Sequence, residues 1–172
     1  MGGIIMDKKK KGIFYASIGL NVLFVLLLVW GLFKINDYTE LQLFDAEAKL
    51  RQLEDAIVYQ IENDWSQPAV VGSSLEAAVQ EMNHTANFVT LSKKERETFT
   101  LLFAILSSYH NDLYVSLDDY IKFSEEDKRK FERLGEALVN VGYRDMAEKI
   151  INSEEKLSKD AIISRTKKLL ES

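Results

Sequence analysis

Hydrophobic residues are concentrated near the start of the chain, in an uninterrupted apolar run over residues 12–33. The run reads GIFYASIGLNVLFVLLLVWGLF, and its most polar members are Ser17 and Asn21. At a rise of 1.5 Å per residue these residues would form a helix of about 33 Å, enough to cross a hydrocarbon core of roughly 30 Å. Aromatic residues near both ends of the run suit the two membrane–water interfaces. The pattern predicts a transmembrane helix over residues 12–33.

A cleavable secretory signal peptide is the main alternative, because Lys8–Lys11 would form its basic start. The apolar region of a signal peptide usually has only about 7–15 residues and ends in small residues at the cleavage site. Here the run is longer, and it continues into Lys34 and Ile35 without an A-x-A-like triplet. We therefore predict an uncleaved signal anchor.

Residues 34–63 contain neither glycine nor proline, and their apolar side chains keep a helical spacing. Leu43, Leu50 and Ile57 are seven residues apart, and Leu53 lies at an intervening position. This spacing predicts that the transmembrane helix continues into a stalk helix over residues 34–63. Four more apolar residues widen the same face: Leu41, Phe44, Val58 and Ile61. The width favours packing on the protein's own domain, while a parallel homodimer through Leu43, Leu50, Leu53 and Ile57 stays open.

Residues 64–172 carry the start and stop signals of further helices. Capping boxes, in which a serine is followed three residues later by a glutamate, predict helix starts at Ser73 and Ser92, and Ser124–Asp127 is expected to begin a further helix. Gly142 is expected to follow the end of the helix that begins after Ser124, and another helix is expected to begin after Ser158. Apolar residues at helical spacing are expected to point inward: Leu75, Ala78, Val79, Met82, Phe99, Leu102, Phe103, Leu106, Tyr109, Phe131, Leu134, Leu138, Val139, Ile162, Ile163, Leu169 and Leu170.

Two segments of this region have weaker patterns. Residues 146–151 are predicted to form a short helix through Met146, Ala147, Ile150 and Ile151. Residues 111–120 alternate like a strand, but a single strand would have no partner, so a helix or an irregular turn is favoured.

These patterns predict an all-α fold, in which one N-terminal transmembrane helix continues into a small extracytoplasmic helical-bundle domain. The predicted boundaries are a cytoplasmic basic tail over residues 1–11, the transmembrane helix over 12–33, the stalk helix over 34–63 and the helical domain over 64–172.

The charges that flank the apolar run predict its orientation. Lys8, Lys9, Lys10 and Lys11 precede the run, whereas Lys34 is the only basic residue between the run and Lys49. The acidic residues of that far flank are Asp37, Glu40, Asp45 and Glu47. Because basic residues are retained on the cytoplasmic side, the chain is predicted to lie in the cell membrane with its N-terminus in the cytoplasm.

Composition narrows the chemistry that the domain can perform. Beyond the four lysines and Asp7, the chain has 18 basic and 26 acidic residues, a balance that argues against nucleic acid as a partner. The chain has no cysteine, and its two histidines, His84 and His110, are 26 residues apart. We therefore predict no catalytic, cofactor-binding or metal site, and no enzymatic activity. Two S-x-x-K tetrads, at Ser153–Lys156 and Ser164–Lys167, lack the S-D-N and K-T-G elements that such enzymes also need.

Two further features are candidates for contacts. Gly12 and Ala16 form a small-xxx-small pair, and together with Ser17 and Asn21 they could form a lateral contact between helices inside the membrane. The second feature is an aromatic group that is expected to be mostly core, with tyrosines at its edge that could line a ligand pocket or partner groove: Phe99, Phe103, Tyr109, Tyr114, Tyr120 and Phe123.

The sequence as a whole favours a single-pass envelope protein without enzymatic activity. Its extracytoplasmic domain is expected to bind another envelope protein, as an accessory or scaffold subunit of a membrane complex. The lipid bilayer is the other expected partner, and a homodimer is a further candidate. The alternative function is an extracytoplasmic small-ligand sensor or an envelope enzyme with an unrecognised site.

Overall fold

The computed structural model describes residues 8–116, 123–143 and 158–171 of the chain. Side chains are described for these residues except 8–14, 16, 112 and 114–116. The regular structure of the described residues is helical, with α1 at Lys8–Glu62, α2 at Ala69–Phe88, α3 at Lys93–Ser116, α4 at Glu125–Val141 and α5 at Lys159–Glu171. The predicted all-α fold, with an apolar N-terminal helix followed by a helical bundle, is confirmed.

The chain divides into two compact units, Met1–Tyr38 and Thr39–Ser172, and the boundary falls within the 55-residue helix α1. The first unit contains the apolar run. The second unit, which we call the helical unit, contains the rest of α1 together with α2 to α5. The predicted stalk helix is therefore divided, because its residues from Thr39 onward belong to the helical unit.

Helix α1 ends in a left-handed turn that is built without glycine. Asp64 and Trp65 have φ values of 51° and 55°, and the Trp65 backbone N–H donates to the Gln60 carbonyl over 2.8 Å. This six-to-one hydrogen bond is the one that closes a Schellman motif. A positive φ is unfavourable for a bulky residue, so the surrounding structure must compensate for it. Burial of the Trp65 side chain in the core provides such compensation.

Helix α2 begins earlier than the predicted capping box. It starts at Ala69, so Ser73 lies inside the helix and its hydroxyl donates to the Val70 carbonyl instead of capping a helix end. The prediction was wrong because residues that precede the helix determine where it starts. Pro68 has a helical φ of −61°, and the backbone N–H of Gln67 donates to Oε1 of the buried Gln60 over 2.8 Å.

The predicted capping box at Ser92 and the predicted helix start at Ser124 are both confirmed. Ser92 and Glu95 form reciprocal hydrogen bonds at the start of α3, and Ser124 and Asp127 do so at the start of α4. Gly142 follows α4 with a φ of 80°, and its N–H donates to two carbonyls of the last turn. The last helix begins after Ser158, as predicted. In all these cases the residues that define the helix end are neighbours in sequence, so local pattern was sufficient.

The core of the helical unit is formed by the inner faces of its five helical segments, and most residues predicted to point inward are buried there. Val139 is an exception, because it lies on the outer face of α4 and is exposed. Leu41 and Ile61 are also exposed, so the buried face of α1 is narrower than predicted. Residues 111–116 are helical, whereas 117–120 and the predicted helix over 146–151 lie outside the described residues.

Specific contacts connect the helices of this unit. At Gly135 of α4 a Cβ would lie only 2.7 Å from Cγ2 of Ile57, so α1 and α4 pass close together. Lys159 at the start of α5 contacts Glu95 of α3 at 3.0 Å. Nearer the end of α5, Nζ of Lys168 donates to the Asn140 carbonyl of α4 over 2.7 Å.

Candidate functional site

The apolar run of α1 has an exposed hydrophobic surface along its whole described length. From Leu20 to Phe33 the large hydrophobic side chains are 44–68% exposed, and none of the most apolar stretch is buried. An exposed apolar patch of this size is typical of a protein or membrane interaction site. Among the described residues, α1 is the one helix that is long and apolar enough to cross a membrane. The structure thus contains a candidate membrane span near the N-terminus.

The predicted intramembrane contact residues lie on one helix. Gly12 and Ala16 belong to α1, but their side chains are outside the described set. Ser17 and Asn21 are exposed and lie one helical turn apart, so they share a face. Lys8, Lys9, Lys10 and Lys11 form the first turn of the same helix. A lateral partner for this face remains a prediction.

The predicted stalk face lies in the core of the helical unit. Leu43, Leu50, Leu53 and Ile57 are each at most 1% exposed in the single chain. Their side chains are already covered by the same unit, so a dimer seam through them would require the unit to open. Thr39 and Gln60, which lie at positions of the same heptad repeat, are also buried.

Next to this apolar face, α1 contributes a buried carboxylate that pairs with α5. Nη2 of Arg165 lies 2.8 Å from Oε2 of Glu47, and the two side chains are only 15% and 5% exposed. Glu47 lies four residues after Leu43 and three residues before Leu50, both of which are buried, so it is on the buried side of α1. A buried pair of this kind costs desolvation, and removal of one partner leaves the other charge uncompensated.

The phenol of Tyr143 is also part of this buried cluster. Burial raises its pKa well above the ordinary value of 10.0, and the nearby Glu47 carboxylate adds to the rise. Thr166 and the positive charge of Arg165 act in the opposite direction, although the hydroxyl of Thr166 donates to the Ile162 carbonyl. The phenol is therefore neutral at physiological pH. We call Glu47, Tyr143, Arg165 and Thr166 the buried polar cluster.

The predicted aromatic group is mostly core, but one of its central members was missed. Phe99 and Phe123 are buried, and Phe103 and Tyr109 are half-buried against the core. Trp65 joins them, with its ring centroid 5.1 Å from Phe123 and 6.3 Å from Phe131. The side chain of Tyr114 and all of Tyr120 lie outside the described residues.

Residues considered for catalysis or metal binding are dispersed over the unit. His84 packs on the ring of Phe88 and lies 3.7 Å from Glu81, whereas His110 is in α3. Within the described part of the chain, no group of three or more histidine or acidic side chains is placed to hold a metal ion. Ser164–Lys167 lies on α5 with Ser164 exposed, and the tetrad at Ser153–Lys156 falls outside the described residues.

Comparison with known protein families, with curated proteins and with solved structures finds no match to this chain. The functional assignment must therefore come from the residues and their geometry.

Sequence reasoning did not identify the buried polar cluster. Glu47 was counted with the acidic flank of the membrane helix because it follows the apolar run. One signal was available. Glu47 and Glu54 each lie four residues after one apolar core position of α1 and three residues before the next, whereas Glu40 has such a neighbour on one side only. This spacing places Glu47 and Glu54 on the buried side of the helix, and both are buried.

Proposed function

We propose that this protein is a single-pass membrane protein whose helical unit binds another envelope protein, as an accessory or scaffold subunit of a membrane complex. The observation that carries the proposal is the exposed apolar run of α1, in one chain with a unit that closes its own hydrophobic core. Such a chain places a folded module beside a membrane. Binding is the function that this arrangement serves most directly.

The charge pattern supports a defined orientation for the proposed span. Four lysines precede the apolar run, whereas Lys34, on the other side, lies 3.9 Å from Asp37. Since basic flanks are retained in the cytoplasm, the N-terminus would be cytoplasmic and the helical unit would lie outside the cell membrane. Glu47 contributes less to the outer charge than the sequence implies, because it pairs with Arg165.

The chemistry of the interior favours a binding module over the alternative of a sensor or an enzyme. A ligand site needs an accessible pocket with convergent polar groups. Within the interior, Glu47, Tyr143 and Arg165 converge, but they belong to the core and are largely closed to solvent. Their arrangement suits a structural contact between α1 and α5.

The proposal is tested by purifying the tagged full-length protein from membranes in mild detergent after brief crosslinking. We expect a partner protein in stoichiometric amount. A second variant, in which residues 12–33 are replaced by an unrelated transmembrane sequence, should retain this partner if the helical unit holds it. A monomer without any partner under both conditions would contradict the proposal.

A further inference from the structure

The helical unit has an open cleft between the last turns of α1 and the first turns of α2. Its volume is about 600 Å³. Ala56, Val58 and Tyr59 of α1 line it, together with Val70 of α2. Tyr59 and Val70 are 46% and 39% exposed, so the apolar surface in the cleft is accessible to a binding partner.

Most of the cleft lies on a different face of α1 from the core, and Ala56 belongs to both because it is also a core residue. Six residues of α1 line the cleft, at positions 52, 55, 56, 58, 59 and 62, and this spacing places them on one side of the helix. The core positions Leu53, Ile57 and Gln60 lie beside this face and are fully buried. The second face is therefore available without any change in the packing of the unit.

The charged residues that line the cleft, Asp55 and Glu62, are both acidic. Lys49 lies beside the cleft, where its ammonium donates to Oε1 of the lining residue Gln52 over 3.2 Å. The two carboxylates are seven residues apart, which is about 10 Å along the helix axis. An acidic rim around an apolar floor attracts a segment that carries positive charges around an apolar side chain, and it repels acidic surfaces.

We propose that this cleft binds a short basic amphipathic helix of a partner protein. An aliphatic side chain of that helix would pack between Tyr59 and Val70, and lysine or arginine residues two turns apart would reach Asp55 and Glu62. Recognition of an amphipathic helix in an apolar groove is a recurrent mode of peptide binding. This inference rests on the proposed function, because it supplies the chemistry of the partner that the helical unit binds.

The first experiment uses defined peptides and the full-length protein in detergent. Tyr59 is replaced by the photocrosslinking residue p-benzoylphenylalanine, which is also aromatic, so that a bound peptide is captured in the cleft. We expect a saturable adduct with a helical peptide of leucine and lysine in which two lysines are seven residues apart. A peptide with glutamate at every lysine position should give no adduct.

Charge reversal in the cleft provides the matched comparison. The double variant Asp55→Lys/Glu62→Lys should weaken binding of the lysine peptide about tenfold, as expected for the loss and reversal of two ion pairs. The control Glu97→Lys/Glu136→Lys changes the net charge equally at exposed positions of α3 and α4, and it should bind like the wild type. Equal binding by the two double variants, or no saturable adduct at position 59, would overturn the proposal.

The same photocrosslinker then identifies the natural occupant in cells. The photocrosslinker at position 59 should form an adduct with a basic amphipathic peptide of the partner. The same photocrosslinker at the exposed Leu101 of α3 should not form this adduct. An acidic or wholly apolar peptide at position 59 would overturn the proposed chemistry. If purification recovers a partner that crosslinks only elsewhere, the cleft is excluded and the proposed function stands. If purification recovers no partner, the proposed function itself fails.

Discussion

Gly135 lies on the inner face of α4, where that helix passes α1 at close range. Glycine in a helix interior is less stable than alanine by roughly 0.5–1 kcal/mol, so its presence needs a structural reason. The reason is the side chain of Ile57, because a Cβ at Gly135 would lie 2.7 Å from Cγ2 of Ile57. A methyl group at this position would overpack the contact between the two helices.

Gly135→Ala should therefore lower the free energy of unfolding by about 1–3 kcal/mol through overpacking. The higher helix propensity of alanine should offset part of this loss. The matched control is Gly72→Ala in α2, where a Cβ would have no neighbour within 4 Å and should give a small increase in stability. Unfolding by urea can be followed by the fluorescence of the buried Trp65 in a Trp30→Phe background. Equal stability changes for the two variants would show that α1 and α4 are not in close contact.

The pair between Glu47 and Arg165 is the second contact that depends on single residues. Arg165→Met should lower the free energy of unfolding by about 3–5 kcal/mol, because it leaves the Glu47 carboxylate buried without its cation. Glu47→Gln/Arg165→Met should recover part of this loss. As the control, Lys128→Met removes an exposed ion pair with Glu125 and should have little effect. The same unfolding assay would contradict the prediction if Arg165→Met and Lys128→Met had equal effects.

This pair also marks a limit of inference from sequence. Glu47 and Arg165 are separated by 118 residues, and neither residue has a neighbour in sequence that indicates the contact. The burial of Leu43, Leu50, Leu53 and Ile57, by contrast, follows from their spacing alone. Apolar periodicity predicts which side of a helix is buried, whereas the polar partner of a buried charge depends on how distant helices meet.

The same distinction explains which helix boundaries could be predicted. The starts of α3 and α4 are set by Ser92 with Glu95 and by Ser124 with Asp127, within four residues in each case. The start of α2 instead depends on Gln60, which reaches the Gln67 backbone from the end of the preceding helix. Ser73 and Glu76 have the pattern of a capping box, but Pro68 has already begun the helix.

The buried face of α1 leads to a prediction about its packing. Leu53→Ala should lower the free energy of unfolding of the full-length protein by about 2–5 kcal/mol, through lost burial and a cavity in the unit's own core. Leu41→Ala, at an exposed position of the same helix, should have a much smaller effect. The midpoint of unfolding should not change with protein concentration. A midpoint that rises with concentration would indicate that α1 is instead a dimer seam.

The contact between α3 and α5 predicts a dependence of stability on pH. Burial tends to raise the pKa of Glu95, but hydrogen bonds from Ser92 and the Lys159 ammonium outweigh it and hold the pKa below the ordinary 4.5. A lowered pKa in the folded state adds stability that is complete above the unfolded pKa and is lost as the pH falls through the folded value.

The Glu95→Gln variant should therefore lose less stability than the wild type when the pH is lowered from about 6 to about 3. Glutamine can still accept the capping hydrogen bond at this position, so the helix start is retained. Urea unfolding at several pH values measures the effect. Parallel pH profiles for the two proteins would show that Glu95 is not responsible for the acid sensitivity.

At the scale of the whole molecule, hydrophobic surface is distributed in opposite ways over the two units. The helical unit encloses its large apolar residues in one core, whereas the apolar run of α1 exposes them from Leu20 to Phe33. A soluble chain would bury such a run, so the proposed membrane span accounts for the contrast.

The orientation of the span is a property of the whole chain that charge substitutions can test. In the proposed orientation Lys8–Lys11 keep the N-terminus in the cytoplasm, so a reporter that is active only after export should be active when it is fused behind Ser172. Replacement of all four lysines by glutamate should reduce or invert this activity. Lys34→Glu should have little effect, because Lys34 already lies beside Asp37 on the acidic flank. Strong activity of a cytoplasm-specific reporter at the same position would contradict the proposed orientation and the proposed location of the helical unit.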